Sequence, residues 1–164
     1  MTIIHTPWSI APDNALNSEH AIQAAFICWA RKAKLVGFAL AALLKTYEEH
    51  PAPRLHKPEP DLCLLFAVPN GGVRGKRVAL QLNLEGVLPG VSDILFLMPG
   101  VYGYTLVLEF KTPSTKNKTS PDQKKFLAAV KERGGGSFVV TSWREAAFHV
   151  ITHLGGDGAR LVPR

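Results

Sequence analysis

The sequence predicts an α/β protein in which a central mixed β-sheet is flanked by helices. Helical and strand patterns are mixed along the chain, in the order α-α-β-α-β-β-α-β-α, instead of separating into two blocks. The 164 residues are 46% apolar and 20% charged, an ordinary balance for a soluble domain that buries a core. These observations favour one domain, with α+β as the alternative class.

The N-terminal part of the chain predicts an irregular arm followed by two helices. Residues 1–16 carry Pro7 and Pro12 and are interpreted as the arm. Asn17 or Ser18 is the predicted N-cap of a helix that continues to about residue 34, because its apolar residues recur at helical spacing. A second helix is predicted over 36–49.

The middle of the chain predicts a strand and a short helix between loops. Prolines between residues 51 and 60 mark the first loop. The continuous apolar run 62–68 is predicted to be a buried strand, which ends at the glycine-rich turn that follows. A short helix is predicted over 77–85, and Gly86 is expected to end it.

The rest of the chain predicts a hairpin and a capped helix. Residues 91–98 and 104–111 are apolar runs and are predicted strands, followed by a polar loop over 112–119. Ser120 is the predicted N-cap of the next helix, and Gln123 completes a capping box. The elements that complete the order are this helix, which continues to about Arg133, a strand over 137–141 and a helix over 143–154.

The domain is therefore expected at 17–154. Residues 155–164 begin with a glycine-rich run and are predicted to be a flexible tail. The last four residues resemble the remnant of a protease-cleavable tag and are left out of the fold prediction.

Charge and cysteine content indicate the partner and the compartment. The net charge of +6 and the pI of about 9.5 favour a polyanionic partner, with a basic but inert surface as the alternative. Cys28 and Cys63 form no CxxC pattern and are predicted to be buried thiols in a reducing compartment. The start lacks a signal-peptide pattern and the apolar run 35–44 is too short to span a bilayer, so we expect a cytoplasmic protein with no membrane partner.

Polar residues at the ends of the two predicted hairpin strands form the first candidate site. Glu109 and Lys111 are two apart in a strand, so they share one side of the sheet and Phe110 faces the other. Asp93 leads the neighbouring strand of the hairpin. Two carboxylates can hold a hard divalent cation, and an adjacent amine can orient a water. The alternative is a plain Glu–Lys ion pair at ordinary strand ends.

Two further polar residues have local explanations as well as functional ones. Glu19 lies in the first turn of its predicted helix, where a negative charge suits the helix dipole, and it shares a face with Gln23. Gln123 belongs to the capping box, but it also begins a helix beside the Lys111 end of the sheet. His149 and His153 are spaced i, i+4; no third zinc ligand is obvious, so they are interpreted as a core or surface pair.

Two basic segments are candidates for phosphate contacts. A glycine-rich loop lies near residues 69–77 but lacks the P-loop spacing, and a lysine-rich segment follows Lys111; for both, a solvated surface is the alternative. The predicted nucleic-acid-binding residues are Asn70, Gly71, Gly72, Arg74, Lys76, Arg77, Lys116, Lys118, Lys124 and Lys125.

Taken together, these motifs resemble the VRR-Nuc family of the PD-(D/E)XK nuclease superfamily. The resemblance covers residues 18–154 and rests on five motifs in the same order. They are Ser18-Glu19-x-x-x-Gln23, Pro69-Asn70-Gly71-Gly72-x-Arg74, the run from Glu85 to Asp93, Leu108-Glu109-x-Lys111, and Ser120-Pro121-x-Gln123. The resemblance implies a restriction-endonuclease-like core. One departure is Ser92, which stands where the family has proline; it changes a turn residue and not a ligand.

The resemblance also implies a role for each site residue. Asp93 and Glu109 would ligate Mg²⁺ or Mn²⁺ with the Phe110 carbonyl, and Glu19 would hold a metal-bound water or a second metal. Lys111 would position the attacking water and stabilise developing negative charge. A further expectation is that Gln123 orients Lys111 or a phosphate.

The implied activity is that of a DNA endonuclease selective for branched DNA. Small stand-alone members of the family resemble homodimeric resolvases of four-way (Holliday) junctions, in which two-fold symmetry places two sites on opposite strands. The alternatives are a monomeric nickase or flap nuclease, a non-catalytic DNA-binding accessory protein, and a nuclease directed at RNA.

Overall fold

A mixed four-stranded sheet forms the centre of the protein. The computed structural model describes residues 16–38, 41, 59–69, 78, 81–82 and 84–161. The strand order is β1-β2-β3-β4; β1 pairs antiparallel with β2, β2 antiparallel with β3, and β3 parallel with β4. The strands are β1 Leu65–Ala67, β2 Ile94–Phe96, β3 Leu106–Phe110 and β4 Gly136–Val140. The predicted α/β class with a mixed sheet is confirmed.

Three helices flank the sheet. They are α1 Glu19–Val36, α2 Pro121–Glu132 and α3 Trp143–His153. Helices α1 and α3 pack against each other and against β3, whereas α2 packs against β4. No helix in the part of the chain that the structure describes is long and apolar enough to cross a membrane.

Strand β3 separates the apolar core from the polar site. Its residues alternate between the two faces of the sheet, and Leu106, Leu108 and Phe110 join the core formed with α1 and α3. The ring centroids of Phe26 and Phe110 lie 5.6 Å apart across this core. Glu109 therefore points to the other face, towards α2, which confirms that Phe110 and Glu109 lie on opposite sides.

The predicted ends of the helices agree with their caps. Ser18, and not Asn17, caps α1, since its hydroxyl accepts a hydrogen bond from the Ala21 N–H at 3.1 Å. The helix ends at Gly37, whose φ of 84° lies in the left-handed region. Most of the second helix predicted over 36–49 lies outside the described residues, although residues 38 and 41 are helical.

The predicted buried strand over 62–68 is correct only for residues 65–67, and these are not buried. A 3₁₀ helix, Pro60–Leu64, occupies its first half, and Pro60 at the first helical position favours that turn. Only Leu65–Ala67 pairs, as the edge strand β1. Phe66 is 43% exposed, and the helix α2 that covers β4 does not extend to β1. The 3₁₀ helix buries Leu62 and leaves Cys63 exposed, so the prediction of two buried thiols holds for Cys28 alone.

The hairpin strands are shorter than predicted. Pairing of β2 with β3 runs from Ile94↔Leu108 to Phe96↔Leu106, inside the predicted limits of 91–98 and 104–111. The predicted loop over 112–119 contains a 3₁₀ helix, Pro113–Thr115. Of the helix predicted over 77–85, residues 78, 81, 82 and 84 are described and helical.

The segment after α3 contains more structure than the predicted tail. Gly158–Leu161 form a short helix, α4, that packs against α3. A side chain at Gly158 would come within 2.7 Å of the Phe148 ring, so glycine allows this close approach. Residues 1–15 of the predicted arm and 162–164 of the tail lie outside the described residues.

The two histidines of α3 belong to the core region, as one of the two interpretations predicted. His153 is fully buried; its Nδ1 accepts from the Tyr102 N–H at 3.3 Å, and its Nε2 lies 2.6 Å from the Met98 carbonyl oxygen. His149 stacks on Phe138 with ring centroids 3.8 Å apart, and burial lowers the pKa of His149.

Candidate active site

The candidate site lies where β2 begins and β3 ends. Because these strands are antiparallel and Ile94 pairs with Leu108, the residue before β2, Asp93, lies beside Glu109. Lys111 follows β3 directly, and the first turn of α1 supplies Glu19. The sheet register and one helix start therefore bring four predicted site residues to the same end of the sheet.

Asp93 completes the sheet with its side chain. Its Oδ2 accepts a hydrogen bond from the Phe110 N–H at 2.8 Å, beyond the last paired residues of β2. Burial raises the pKa of Asp93, while the Phe110 hydrogen bond and the nearby charge of Lys111 oppose that rise.

Glu109 is the most deeply buried carboxylate of the site. Its Oε1 accepts from Lys111 Nζ at 2.7 Å and from Gln123 Nε2. Its Oε2 is buried and accepts no hydrogen bond from any described residue. Burial raises the pKa of Glu109 to about 7; the hydrogen bond from Lys111 opposes the rise, and repulsion from Asp93 adds to it.

Lys111 is the cation that holds the acidic groups together. Its side chain is buried, and its Nζ lies 2.7 Å from Glu109 Oε1 and 3.6 Å from Glu19 Oε2. Burial by itself lowers the pKa of Lys111, but the hydrogen bond to Glu109 and the attraction of the neighbouring carboxylates outweigh it and raise that pKa. The Glu–Lys ion pair considered as the alternative is present, as part of a cluster that includes Glu19 and Asp93.

Glu19 joins the cluster from the start of α1. Its side chain is 43% exposed, so it keeps access to solvent while it faces Lys111. Its Oε1 also accepts a hydrogen bond from Thr115 Oγ1 at 3.0 Å. Glu19 can therefore interact favourably with the dipole of α1 and contact Lys111 at the same time.

Gln123 serves the helix cap and the site at once. Its side-chain Oε1 accepts from the Ser120 backbone N–H at 2.9 Å, and its backbone N–H donates to Ser120 Oγ at 3.2 Å. These two hydrogen bonds complete the predicted capping box. Its Nε2 donates to Glu109 Oε1. The Gln123 amide and the Lys111 amine thus donate to the same oxygen of Glu109.

Only one of the two segments predicted to bind nucleic acid lies within the described part of the chain. All four lysines near α2 are exposed and lie close in sequence to the site: Lys116, Lys118, Lys124 and Lys125. The glycine-rich loop with Asn70, Gly71, Gly72, Arg74, Lys76 and Arg77 lies outside the described residues.

The carboxylates of the site are oxygen donors of the kind that a hard divalent cation prefers. Among the described residues, no three His, Cys, Asp or Glu side chains group closely enough to hold a metal ion. A metal here would therefore depend on the Asp93 and Glu109 carboxylates and a backbone carbonyl, an all-oxygen set that Mg²⁺ accepts along with water. The buried Glu109 Oε2 without a partner supports this fit, since such an atom is costly to bury.

Two features of the site were missed by sequence reasoning. Thr115 contacts Glu19 across 96 residues of chain, and no local pattern indicates a contact at that range. Ser92, interpreted as a turn residue, is fully buried, and its hydroxyl has no hydrogen-bond partner among the residues described.

Comparison with known proteins supports the fold. No protein-family model and no curated protein matches the sequence. The structure is similar to a solved structure described as a VRR_NUC domain protein, with a TM-score of 0.57 and 15% sequence identity. The similarity covers 85% of this chain and 90% of that chain. At this identity it establishes a shared fold, and the function has to be argued from the residues of the site.

Proposed function

We propose that this protein is a metal-dependent DNA endonuclease that hydrolyses phosphodiester bonds with Mg²⁺ or Mn²⁺. The observation that carries the proposal is the cluster of Asp93, Glu109 and Lys111 at one end of the sheet, in which Glu109 Oε2 is buried without a described partner. The similarity in fold to a VRR_NUC domain protein supports it.

Each residue of the cluster has a separate task in this mechanism. A bound divalent cation would polarise the scissile phosphate and lower the pKa of a bound water. Asp93 and Glu109, with the Phe110 carbonyl, would hold the cation. Lys111, whose raised pKa keeps it charged, would orient the attacking water and stabilise the negative charge that develops on the phosphate.

Gln123 and Glu19 support these tasks. Gln123 and Lys111 both donate to Glu109 Oε1, which leaves Oε2 as the oxygen that is available to a metal. The exposed side of Glu19 would hold a water of the metal or a second metal.

DNA, in particular branched DNA, is the proposed substrate. The chain carries a net charge of +6, and its exposed lysines near α2 would contact phosphates flanking the scissile bond. We further propose a homodimer, because a two-fold axis would place two sites on opposite strands of a four-way junction.

A cleavage assay on defined DNA structures tests this function. Labelled four-way junction, flap, linear duplex, single-stranded DNA and single-stranded RNA are each incubated with Mg²⁺, Mn²⁺ or EDTA, and sedimentation gives the oligomeric state. We expect paired, metal-dependent cuts in the junction by a dimer. Single cuts in flaps or duplex by a monomer would overturn the resolvase function but keep the nuclease, and preferred cleavage of RNA would overturn the DNA substrate. Tight binding without cleavage would indicate a DNA-binding accessory protein.

A further inference from the structure

Three hydroxyl side chains form a chain immediately after Lys111. Ser114 Oγ lies 2.9 Å from Thr112 Oγ1, and Thr112 Oγ1 lies 2.8 Å from Thr115 Oγ1. The Thr112 N–H donates to Thr115 Oγ1 at 3.0 Å, so the two threonines close the 3₁₀ helix Pro113–Thr115 with a capping box. The loop that leaves the site is therefore held by its own side chains.

The chain of hydroxyls ends on a site carboxylate. Thr115 Oγ1 donates to Glu19 Oε1 at 3.0 Å. The Thr112 carbonyl oxygen lies 3.3 Å from Thr115 Oγ1, so Glu19 Oε1 is the nearer of the two acceptors for the single proton of Thr115. With that proton directed at Glu19, the Thr115 oxygen accepts from the Thr112 N–H and the Thr112 hydroxyl. Because a carboxylate can only accept, Thr115 is the donor in its hydrogen bond with Glu19.

Glu19 is thus held between two groups from the same segment of chain. Thr115 binds Oε1, while Lys111 Nζ lies 3.6 Å from Oε2, a distance longer than a hydrogen bond. The Thr115 contact is the shorter of the two. It joins the start of α1 to the segment after β3.

We propose that Thr115 is a positioning residue that fixes the Glu19 carboxylate beside Lys111 in the orientation needed to hold a metal-bound water. The proposal rests on the function proposed above for this site. Thr115 acts through Glu19 and does not itself contact metal or DNA. Without the Thr115 hydroxyl, the half-exposed Glu19 side chain samples other rotamers. Metal binding at the site is then weaker.

Three variants separate the contact with Glu19 from the loop cap. Thr115→Val keeps the β-branched shape and removes the hydroxyl, whereas Thr115→Ser keeps the hydroxyl. Thr112→Val disturbs the cap from its other end and leaves the Thr115 hydroxyl available to Glu19. Thr105→Val is the matched control, because the Thr105 hydroxyl donates to the Phe96 carbonyl at 3.1 Å at the opposite end of β3.

The first measurement is Mn²⁺ binding by calorimetry in the absence of DNA, and the second is the Mg²⁺ concentration that gives half-maximal cleavage. For Thr115→Val we expect both constants to rise about 3- to 10-fold, the scale of the net contribution of one ordinary hydrogen bond at a half-exposed side chain. Thr115→Ser and Thr105→Val are expected within about 2-fold of wild type, and Thr112→Val between wild type and Thr115→Val.

Equal constants for Thr115→Val and wild type would overturn the proposal. An equal loss in Thr112→Val and Thr115→Val would overturn it as well, because the loop and not the contact would then be responsible. A wild-type protein that binds Mn²⁺ but cleaves nothing would refute the proposed function and leave the binding data to decide on Thr115. A wild-type protein that binds no Mn²⁺ would refute both.

The double variant Glu19→Ala with Thr115→Val, compared with both single variants, adds a check in metal-free buffer. If the two side chains act through each other, their effects on the urea midpoint are non-additive. Additive effects would contradict the contact on which the proposal depends.

Discussion

The carboxylate of Asp93 accepts the hydrogen bond of the Phe110 N–H at 2.8 Å, just beyond the last paired residues of β2 and β3. At this point a side chain of the site, and not the backbone of β2, accepts the hydrogen bond from β3. The geometry of the site is consequently tied to the register of the hairpin. Substitutions at Asp93 can separate its structural task from its chemical one.

Asparagine at position 93 is expected to keep the fold and lose the activity. In Asp93→Asn the amide oxygen still accepts from the Phe110 N–H, but the negative charge that would hold a metal is gone. We expect a melting temperature near that of wild type and a loss of cleavage on the order of 10³-fold, which corresponds to several kcal/mol of metal-dependent stabilisation. Asp93→Ala should in addition lose about 0.5–1.5 kcal/mol of stability with the hydrogen bond. Cleavage by Asp93→Asn within tenfold of wild type would contradict this account.

The stability of the metal-free protein is expected to fall as the pH rises from about 4.5 to 7. Burial raises the pKa of Glu109 from 4.5 to about 7, so in this window the unfolded carboxyl has lost its proton while the folded one keeps it. The unfolded state then binds fewer protons, which makes the slope of stability against pH negative, with a total of up to about 3 kcal/mol. The raised pKa of Asp93 acts in the same direction.

Urea unfolding in EDTA at several pH values between 4.5 and 8 measures this effect. Glu109→Gln cannot ionise and should flatten most of the slope. The idea fails if the variant and the wild type lose stability equally across the window.

Glutamate at position 123 should separate the helix cap from the site. In Gln123→Glu the side chain still accepts from the Ser120 N–H, but it cannot donate to Glu109 and adds a like charge beside it. We expect α2 to stay capped. Cleavage should fall about 10- to 100-fold, which corresponds to an increase of about 1.4–2.7 kcal/mol in the activation free energy. Gln123→Ala should lose both contacts and about 0.5–1.5 kcal/mol of stability for each hydrogen bond. Thermal melts and cleavage rates of the two variants decide; full activity of Gln123→Glu would rule out a role for its amide group.

Two glycines before Asp93 provide a matched test of how the site is supported. Gly90 has φ of +79°, and a Cβ there would lie 2.4 Å from the backbone carbon of Asp122 in α2. Gly86 has φ of +89° with nothing within 4 Å in the described part of the chain. Both alanine variants are strained by about 1–2 kcal/mol, and Gly90→Ala must also displace the helix. In chemical denaturation, we expect the free energy of unfolding to fall by at least about 1 kcal/mol more in Gly90→Ala than in Gly86→Ala, because only Gly90→Ala overpacks its site. Equal losses would show that the segment before Asp93 does not pack against α2 as described.

Local rules predicted the parts of the site that depend on neighbouring residues. The period of two in β3 placed Glu109 and Lys111 on one side, and the Ser120–Gln123 pattern placed the start of α2. The same rules failed for 62–68. An apolar run is compatible with a buried strand and with a 3₁₀ helix followed by an edge strand, and only the sheet order distinguishes the two.

Long-range contacts were beyond those rules. The Asp93 carboxylate at the Phe110 N–H depends on where β2 stops pairing, and the Thr115–Glu19 contact depends on how α1 packs. Neither follows from spacing along the chain. Both became visible only once the register and the packing of the helices were known.

The most direct test of the central claim is single-turnover cleavage of a labelled four-way junction by wild type and Lys111→Ala, in Mg²⁺ and in EDTA. Binding of the same junction and the circular dichroism of both proteins serve as controls for folding. We predict that wild type cuts in Mg²⁺ and not in EDTA, and that Lys111→Ala binds the junction but cuts it on the order of 10³-fold more slowly. Cleavage that persists in EDTA, or that Lys111→Ala carries out at the wild-type rate, would contradict the account.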